Sequence, residues 1–452
     1  MRRVASLAWC AAVACAAPAP PCPPVPACPS AAPVPASSSS PAAVAPSASA
    51  APAPKPLPER QKPTAKLFDD GLAEAGFFQR GDAFELGLDG AALDALVAEA
   101  EKTKSDSLVV LRDGKLVAER YFGSRRGPIE TMSMTKSMTA LAVMFLIEEK
   151  KLPSLDVPVA KYVPELAKGK RAKITLRHLL TQSSGLAHGK DAKALNAQKD
   201  RTSYAKRANL VDEPGAVFSY NNEATQLLSI VVEQAAGKPA DSYLDDKLFR
   251  PLGIRNWQWD RDQAKNVQTY YGLALEARDL ARIGQLLLDR GKLGERQLLS
   301  PQSVALLSTP SERSPYYGLL WWIRYERVVS ELDPARLVEE LAPLAPTLSP
   351  LAGRKFRTSG ELWLEAGARL SAPERELLAR ALEAGAPLAA DKPDHPIGFY
   401  ADGSLGQRLA VFEAPRLVVV RQRRRRPPAE ENESLSFPSF LKLASALVRS
   451  GS

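Results

Sequence analysis

Cysteine is scarce in this chain of 452 residues, which contains only four. All of them lie close to the beginning of the sequence, at Cys10, Cys15, Cys22 and Cys28. The sequence after Cys28 therefore excludes both a disulfide framework and a cysteine metal site.

Histidine is equally rare, with three residues scattered along the chain at His178, His188 and His395. Such scattering disfavours a serine, histidine and aspartate triad. A serine nucleophile in this chain would therefore need a different base, and lysine is the better candidate.

The first 65 residues have a composition unlike the rest. Residues 1–16 contain two arginines, a short apolar run and small residues, which is the layout of a secretory signal peptide. Cleavage of this leader is the favoured expectation, and a lipid anchor on Cys15 is the alternative. Residues 17–65 are nearly all Pro, Ala, Ser and Val, a composition typical of a disordered linker. We therefore expect an exported protein of the periplasm or cell envelope, attached to a membrane only through a lipidated Cys15, with its folded domain over residues 66–452.

The net charge of +9 raises the question of an anionic partner. The most basic segment, "RQRRRRPP" at Arg421–Pro428, directly follows a strand-like stretch and precedes an acidic one. This context favours a solvated strand end and loop, so we expect no nucleic-acid partner.

Strand signals lie at the two ends of the domain. Two β-rich runs in "DSLVVLRDGKLVAERYFG" are separated by Asp113-Gly114, which predicts a hairpin. A second β-rich region covers Pro396–Arg424, and the sequence between the two regions is mainly helical. These signals predict one α+β domain whose antiparallel sheet is completed by distant parts of the chain, with a helical insert at about 324–394.

The segment "TMSMTKSMTALAVMFLIEEKK" (131–151) carries the first candidate chemistry. Residues three apart share a helix face, so Ser133 and Lys136 can lie within hydrogen-bonding reach. Burial and the helix N-terminus would favour the neutral form of Lys136 that a general base needs. Thr131 is expected to cap this helix through its hydroxyl.

The same Ser-x-x-Lys spacing occurs twice more, at Ser203–Lys206 and Ser439–Lys442. Lys206 lies in a highly polar stretch where it should be solvated, and Ser439 lies in a terminal helix. We expect neither of these two serines to be a nucleophile.

A second polar cluster, Tyr220-Asn221-Asn222, precedes the helical stretch "EATQLL". An asparagine at this place is an ordinary helix cap, so local sequence alone favours capping over catalysis. Tyr220 would be an unusual acid or base unless a cation such as Lys136 lowered its pKa.

Five segments together resemble one family of enzymes. They are "SMTK", "ITLRHLLTQSSGL", "PGAVFSYNNEATQLLSIVVEQAAGKPADSYLDDKLFRPLGI", "EARDLARIGQLLLDRG" and "YGLLWWI". They are similar to the beta-lactamase-related serine hydrolases, which include class C beta-lactamases, D,D-peptidases, esterases and 6-aminohexanoate-dimer hydrolases. The similarity runs over about 106–323 and resumes over 398–420. It implies a beta-lactamase/transpeptidase-like α+β fold, with an antiparallel sheet flanked by helices and a mainly helical subdomain.

The resemblance also implies roles for individual residues. Ser133 matches the family nucleophile and Lys136 the adjacent base, while Tyr220 would share proton transfer. Asn222 would contact the acyl-side amide or ester of the substrate, and His178 matches a structural position. No metal and no cofactor are implied.

The third motif of the family is altered in this chain. Where the family usually has Lys-Thr-Gly or His-x-Gly, the matching segment gives Ser404-Leu405-Gly406, which provides no charge for a substrate carboxylate. Gly406 and Gln407 would keep a backbone role beside the developing oxyanion.

Taken together, the motifs predict an exported serine hydrolase that cleaves an uncharged small-molecule ester or amide through an acyl-enzyme on Ser133. One alternative is a D,D-peptidase or beta-lactamase acting on cell-wall peptides or beta-lactams. Another is an inactive family member that binds peptidoglycan or a protein partner.

Overall fold

A computed structural model describes residues 61–70, 77–356, 359–383, 386, 388–427, 430 and 433–448. The predicted leader (1–16) and residues 17–60 of the predicted linker lie outside the described residues. No helix within the described ranges has the length and apolar character needed to cross a bilayer.

Thirteen strands occur in the described part of the chain. They are β1 Ser107–Arg112, β2 Lys115–Arg120, β3 Ile129–Glu130, β4 Gln258–Trp259, β5 Leu273–Leu275, β6 Lys292–Leu293, β7 Arg296–Gln297, β8 Trp322–Tyr325, β9 Val328–Leu332, β10 Ala389–Pro393, β11 Pro396–Gly403, β12 Gln407–Phe412 and β13 Leu417–Gln422.

Fifteen α-helices accompany these strands in the same described ranges. They are α1 Gly90–Lys102, α2 Met134–Glu148, α3 Leu176–Leu180, α4 Lys193–Asn196, α5 Arg201–Lys206, α6 Asn222–Gln226, α7 Leu228–Ala236, α8 Ala240–Leu244, α9 Ala277–Leu288, α10 Pro301–Leu307, α11 Pro334–Leu341, α12 Ala345–Leu348, α13 Ser359–Arg369, α14 Ala372–Glu383 and α15 Phe440–Ser445.

The main sheet has six antiparallel strands in the order β2-β1-β13-β12-β11-β8. Asp113 and Gly114 join β1 to β2 with φ angles of 49° and 74°, and two positive φ angles are what a type I′ hairpin turn requires. Strand β1 pairs with β13, with Ser107 opposite Gln422. The predicted hairpin and the predicted closure of the sheet by distant segments are both confirmed.

Side chains alternate between the two faces of this sheet because successive strand residues point in opposite directions. Val109 and Val418 belong to a large core that includes helices α2 and α9. Val110 and Val419 belong to a second core with α1 and α15. The α+β fold is therefore a sheet covered by helices on both faces.

Helix α2 is central to the larger core. Every residue from Met134 to Leu146 is buried, which fits its lack of a polar face. Lys150 follows the helix with a φ of 57°, and Pro153 lies just beyond. The helix therefore places its first turn, with Ser133 and Lys136, at the edge of the core.

Between β8 and β11 the chain leaves the main sheet. Strands β9 and β10 form a two-stranded ladder in which Val328 is opposite Pro393. In the sequence, helices α11 to α14 follow β9 and precede β10. They contribute to a separate hydrophobic cluster that includes Leu337, Leu348 and Leu362. This segment therefore has a core of its own.

The expectation of a solvated basic run is wrong for its first part. Arg421 and Arg423 are 0% and 1% exposed. The guanidinium of Arg421 donates to the hydroxyl of Ser105 and to four carbonyls, those of Thr103, Leu405, Gly406 and Leu435, at 2.6 to 3.1 Å. Burial lowers the pKa of Arg421 to about 9. The cation is thus held inside the fold by neutral acceptors.

Candidate active site

Ser133 lies at the entrance to α2, where it is only partly buried. Met132, immediately before it, has a φ of 51°, an uncommon value for a side chain of this size. The predicted cap is wrong in detail, because the Thr131 hydroxyl does not accept from a backbone amide of the helix: it donates to the Leu273 carbonyl at 2.8 Å and lies 3.1 Å from the hydroxyl of Thr135 in the first turn of α2. The Thr131 carbonyl instead accepts from the Met134 amide at 3.1 Å. These contacts fix the peptide that precedes Ser133.

Lys136 lies one turn further along α2 and is 1% exposed. Its Nζ donates to Ser133 Oγ at 3.1 Å and to the Tyr270 carbonyl at 3.0 Å. Burial lowers the pKa of Lys136 to about 7, and the Glu223 carboxylate acts in the opposite direction. A large fraction of Lys136 is therefore neutral near pH 7, as a general base must be.

Tyr220 joins this pair from the loop before α6. Its hydroxyl lies near that of Ser133, which acts to lower its pKa, but burial has the larger effect and raises the pKa to about 12. Lys136 Nζ lies over the Tyr220 ring, 4.8 Å from its centroid. The Tyr220 pKa is thus raised and not lowered, so Tyr220 is a neutral phenol.

Aromatic rings form one wall beside Tyr220. The Tyr220 ring stacks on Trp322 with centroids 6.2 Å apart, and Trp322 stacks on Tyr400 at 6.4 Å. Trp322 lies on β8 and Tyr400 lies directly opposite it on β11. The edge of the main sheet therefore supports the tyrosine that contacts Ser133.

The two asparagines after Tyr220 have different structural roles. Asn221 caps α6, since its Oδ1 accepts from the Ala224 amide at 2.7 Å while its Nδ2 donates to the Leu186 carbonyl at 2.7 Å. Asn222 is the first residue of the helix and is partly exposed. Capping is thus the role of Asn221, and the Asn222 side chain is not needed for it.

The two other Ser-x-x-Lys segments lack this arrangement. Ser203 Oγ donates to Asp200 at 2.6 Å, and Lys206 is paired with Glu165 at 3.1 Å. Ser439 lies at the start of the short helix α15. Lys136 is the lysine that reaches the serine of its own motif.

The residues of the altered third motif make their contacts with solvent and with the sheet. Ser404 is exposed. Gly406 packs against Arg421 and the Ser436 carbonyl, so that an added Cβ would lie 2.2 Å from each. The Gln407 side chain turns into the sheet, where its Oε1 accepts from the Arg423 amide at 3.1 Å. The Gln407 side chain is therefore engaged within the sheet, and the backbone role of Gly406 and Gln407 stays a prediction.

Gly403, at the end of β11, is the residue of this region that packs against the peptide preceding Ser133. A Cβ at Gly403 would lie 2.4 Å from the Thr131 carbonyl oxygen and 3.1 Å from Met132 Cβ. Sequence reasoning missed this residue because it centred the motif on Gly406. The sequence marks Gly403 only as a second glycine, three positions before Gly406.

The three histidines lie apart from the Ser133 group. His178 Nδ1 accepts from the Thr175 amide at 3.2 Å, completing a capping box of α3, and burial lowers its pKa. His188 Nε2 lies 2.6 Å from Ser219 Oγ, and His395 lies 3.7 Å from Asp394. Among the described residues no group of His, Cys, Asp and Glu is arranged to hold a metal ion.

Comparison with known proteins agrees with this fold. The family described as Beta-lactamase matches residues 93–328, just over half of the chain. Protein flp of Staphylococcus aureus strain MW2 is 26% identical over 188 residues, covering 38% of each protein. Esterase EstB of Burkholderia gladioli is 32% identical over 145 residues, covering 27% of this chain and 36% of the esterase. The chain therefore spans well under half the length of these relatives.

Solved structures show the same fold at low sequence identity. The hydrolase EstCE1, described as having promiscuous acyltransferase activity, is 16% identical with a TM-score of 0.53, covering 81% of this chain and 99% of its own. A class C beta-lactamase is 16% identical with a TM-score of 0.52, covering 81% of this chain and 96% of its own. With its matching family segment, its sheet covered by helices and its Ser133–Lys136 pair, the chain belongs to the beta-lactamase family of serine hydrolases.

Proposed function

We propose that the protein is an exported serine hydrolase that cleaves an ester or amide through an acyl-enzyme on Ser133. The observation that carries this proposal is the meeting of three groups: Lys136 Nζ lies 3.1 Å from Ser133 Oγ and 4.8 Å from the centroid of the Tyr220 ring, whose hydroxyl is near that of Ser133. The proposed export is supported by the leader-like sequence of residues 1–16.

In this reaction neutral Lys136 takes the proton of Ser133 as Oγ attacks the substrate carbonyl. The backbone amides of Ser133 and of Ser404, which follows the closely packed Gly403, are the proposed donors to the oxyanion. Tyr220 passes the proton from Lys136 to the leaving alcohol or amine. Water then attacks the acyl-enzyme, with the same groups working in reverse, and releases the acid.

A substrate without a carboxylate suits the region around Gly403. Arg408 on β12 contacts the Gly403 carbonyl at 3.3 Å, but it is paired with Asp402 and also donates to the Gln407 carbonyl at 2.9 Å. Its charge is therefore already balanced. An esterase among the relatives supports the same choice.

One observation favours the second candidate, a D,D-peptidase or beta-lactamase. The exposed guanidinium of Arg425 lies 4.0 Å from Met132 Sδ, next to the nucleophile. A cation in this place suits the carboxylate that penicillins and cell-wall peptides carry.

Covalent labelling separates these candidates. We expect a fluorescent fluorophosphonate to label the wild-type protein and the Ser203→Ala and Ser439→Ala controls, but not Ser133→Ala. A fluorescent penicillin is expected to label none of them. Penicillin labelling that is lost in both Ser133→Ala and Arg425→Gln would establish the second candidate, and labelling by neither reagent would favour an inactive, binding member of the family.

A further inference from the structure

One buried glutamine holds the loop that carries Tyr220. Gln182 lies just after α3 and is 0% exposed. Its backbone carbonyl accepts from the Ser219 amide at 2.7 Å, and its side-chain Oε1 accepts from the Asn221 amide. The residues on both sides of Tyr220 are therefore bound to Gln182.

The other end of the Gln182 amide closes a ring of hydrogen bonds. Its Nε2 donates to the Leu179 carbonyl at 3.1 Å and to the Thr225 hydroxyl at 3.0 Å. The Thr225 hydroxyl in turn donates to the Asn221 carbonyl at 2.9 Å. An amide turned the other way would face the Asn221 N–H with a donor, so the network fixes its orientation. Gln182 thus holds both backbone polar groups of Asn221, one directly and the other through Thr225.

The backbone of Gln182 has an uncommon conformation. Its φ of 56° lies in the left-handed region, which glycine adopts most easily. A glycine would nevertheless lack the side-chain acceptor that the Asn221 amide uses. A strained backbone at a buried residue that holds a loop of the candidate site points to a role in that site.

We infer that Gln182 is a positioning residue for Tyr220, an inference that rests on the proposed hydrolase function. By holding the peptides on both sides of Tyr220, Gln182 keeps the phenol hydroxyl where it can pass a proton from Lys136 to the leaving group. Both ends of the Gln182 amide are engaged inside the protein, so Gln182 acts through Tyr220 and not by contact with the substrate.

This role predicts a dependence on the leaving group. An ethoxide group leaves an ester only as it takes up a proton, whereas p-nitrophenolate is stable as an anion and leaves without one. Ethyl acetate should therefore depend on a correctly placed Tyr220 more than p-nitrophenyl acetate does.

A double-mutant cycle on these two esters tests the inference. Steady-state kinetics at about pH 8, where Lys136 is mostly neutral, would give kcat/KM for the wild type, Gln182→Met, Tyr220→Phe and the double variant. We expect Gln182→Met to lower kcat/KM by about tenfold or more for ethyl acetate and by about threefold or less for p-nitrophenyl acetate. In the Tyr220→Phe background, where the hydroxyl is already absent, the same substitution should change either value by less than about twofold.

Gln285→Met is the matched control. Gln285 is also a buried glutamine, but it lies on α9 and its amide donates to Asp289 at 2.7 Å. We expect this variant to keep both kcat/KM values within about twofold of the wild type, since it removes a buried amide that does not contact the Tyr220 loop.

The outcomes distinguish the inference from the function on which it rests. If Gln182→Met lowers kcat/KM equally for both esters and equally with and without the Tyr220 hydroxyl, the positioning role is refuted while the hydrolase function stands. If the wild type cleaves neither ester and no fluorophosphonate reacts at Ser133, the hydrolase function fails and the inference fails with it. If Gln182→Met does not fold, Thr225→Val takes its place in the cycle, because it removes one link of the same ring. The expected pattern is then the same with a smaller loss, and equal losses in both backgrounds would again refute the role.

Discussion

Lys136 determines the expected pH dependence of catalysis. A base must be unprotonated to accept the proton of Ser133, and burial lowers the pKa of Lys136 to about 7. We predict that kcat/KM for a neutral ester falls as the pH is lowered through 7, by about tenfold for each unit below it. Steady-state kinetics between pH 5 and 9 would measure this, and a flat profile down to pH 5 would assign the base to another group.

The same residue should weaken the fold in a pH-dependent way. An unfolded lysine binds its proton up to about pH 10.4, whereas folded Lys136 releases it above about 7. The unfolded state therefore binds more protons between these values, and the stability of the wild-type protein falls as the pH is lowered from 10 to 7.

Lys136→Met removes this proton-linked effect. We predict that the Tm of Lys136→Met minus the Tm of the wild type is a few degrees larger at pH 7 than at pH 9.5, because only the wild type is destabilised as the pH is lowered. The variant is expected to be inactive. Thermal melting followed by circular dichroism at both pH values would measure the difference. An identical Tm difference at the two pH values would mean that the lysine is not desolvated.

Single residues show where sequence reasoning reaches its limit. The i to i+3 spacing placed Ser133 beside Lys136, because both lie on one helix and their geometry is local. Glu223 gave no signal, since a carboxylate in the first turn of a helix is common and its burial depends on Gly189 and other distant residues. The hydroxyl of Thr131 was assigned to a cap because the neighbouring strand β5, whose Leu273 carbonyl accepts from that hydroxyl, could not be foreseen.

At the scale of elements, the contact between the end of β11 and the start of α2 decides whether the site can form. Gly403 has no room for a Cβ, because the nearest atoms belong to the Thr131 carbonyl and to Met132. Its φ of −143° is accessible to any residue, so the requirement for glycine is steric.

Gly403→Ala is therefore predicted to push β11 away from α2. We expect kcat/KM to fall at least tenfold, with a loss of about 1–3 kcal/mol in unfolding free energy. The matched control is Gly367→Ala in α13, where the nearest atom is 4.0 Å away and alanine should be neutral or stabilising by up to about 1 kcal/mol. Kinetics and denaturant unfolding of both variants would check this, and equal activity in the two would show that the close approach is not required.

Strand β13 explains why the basic run was misinterpreted. Arginines after a strand are usually solvated, but Arg421 lies within β13 and is surrounded by carbonyls from Thr103, Leu405 and Leu435. Acceptors so distant in sequence cannot be recognised from local composition. The cluster joins the loop after β11 to both ends of the domain.

For the whole molecule, the segment between β8 and β11 differs from the rest of the domain in how it is held together. It has its own hydrophobic cluster, and its first and last strands are joined at Val328 and Pro393.

We predict that replacing residues 329–392 by a short glycine-containing turn leaves a folded protein that still reacts with a fluorophosphonate at Ser133. A single cooperative melting transition and retained labelling would be the measurements. Ser133→Ala in the same shortened chain is the control for specific labelling. Aggregation of the shortened chain would mean that this segment also stabilises the main core.

The fold as a whole was more predictable than the site. Alternating apolar residues around Asp113-Gly114 and at Pro396–Arg424 are local signals for strands, and they were sufficient to predict that the chain ends share a sheet. Three residues lie near the start of α2 although they are distant from it in sequence: Gly403, Tyr220 and Glu223. Their positions depend on how separate elements pack, which local sequence patterns do not encode.

The pairing of β1 with β13 has a consequence for the time at which this protein can fold. Ser107 and Gln422 are 315 positions apart. At a synthesis rate of about 5–20 residues per second, roughly 15–60 s pass before the partner of β1 exists. Throughout that interval β1 has an unpaired edge, which is the kind of edge that pairs with other chains. The complete sheet, and with it the proposed active site around Ser133, can form only after the last strand has been made.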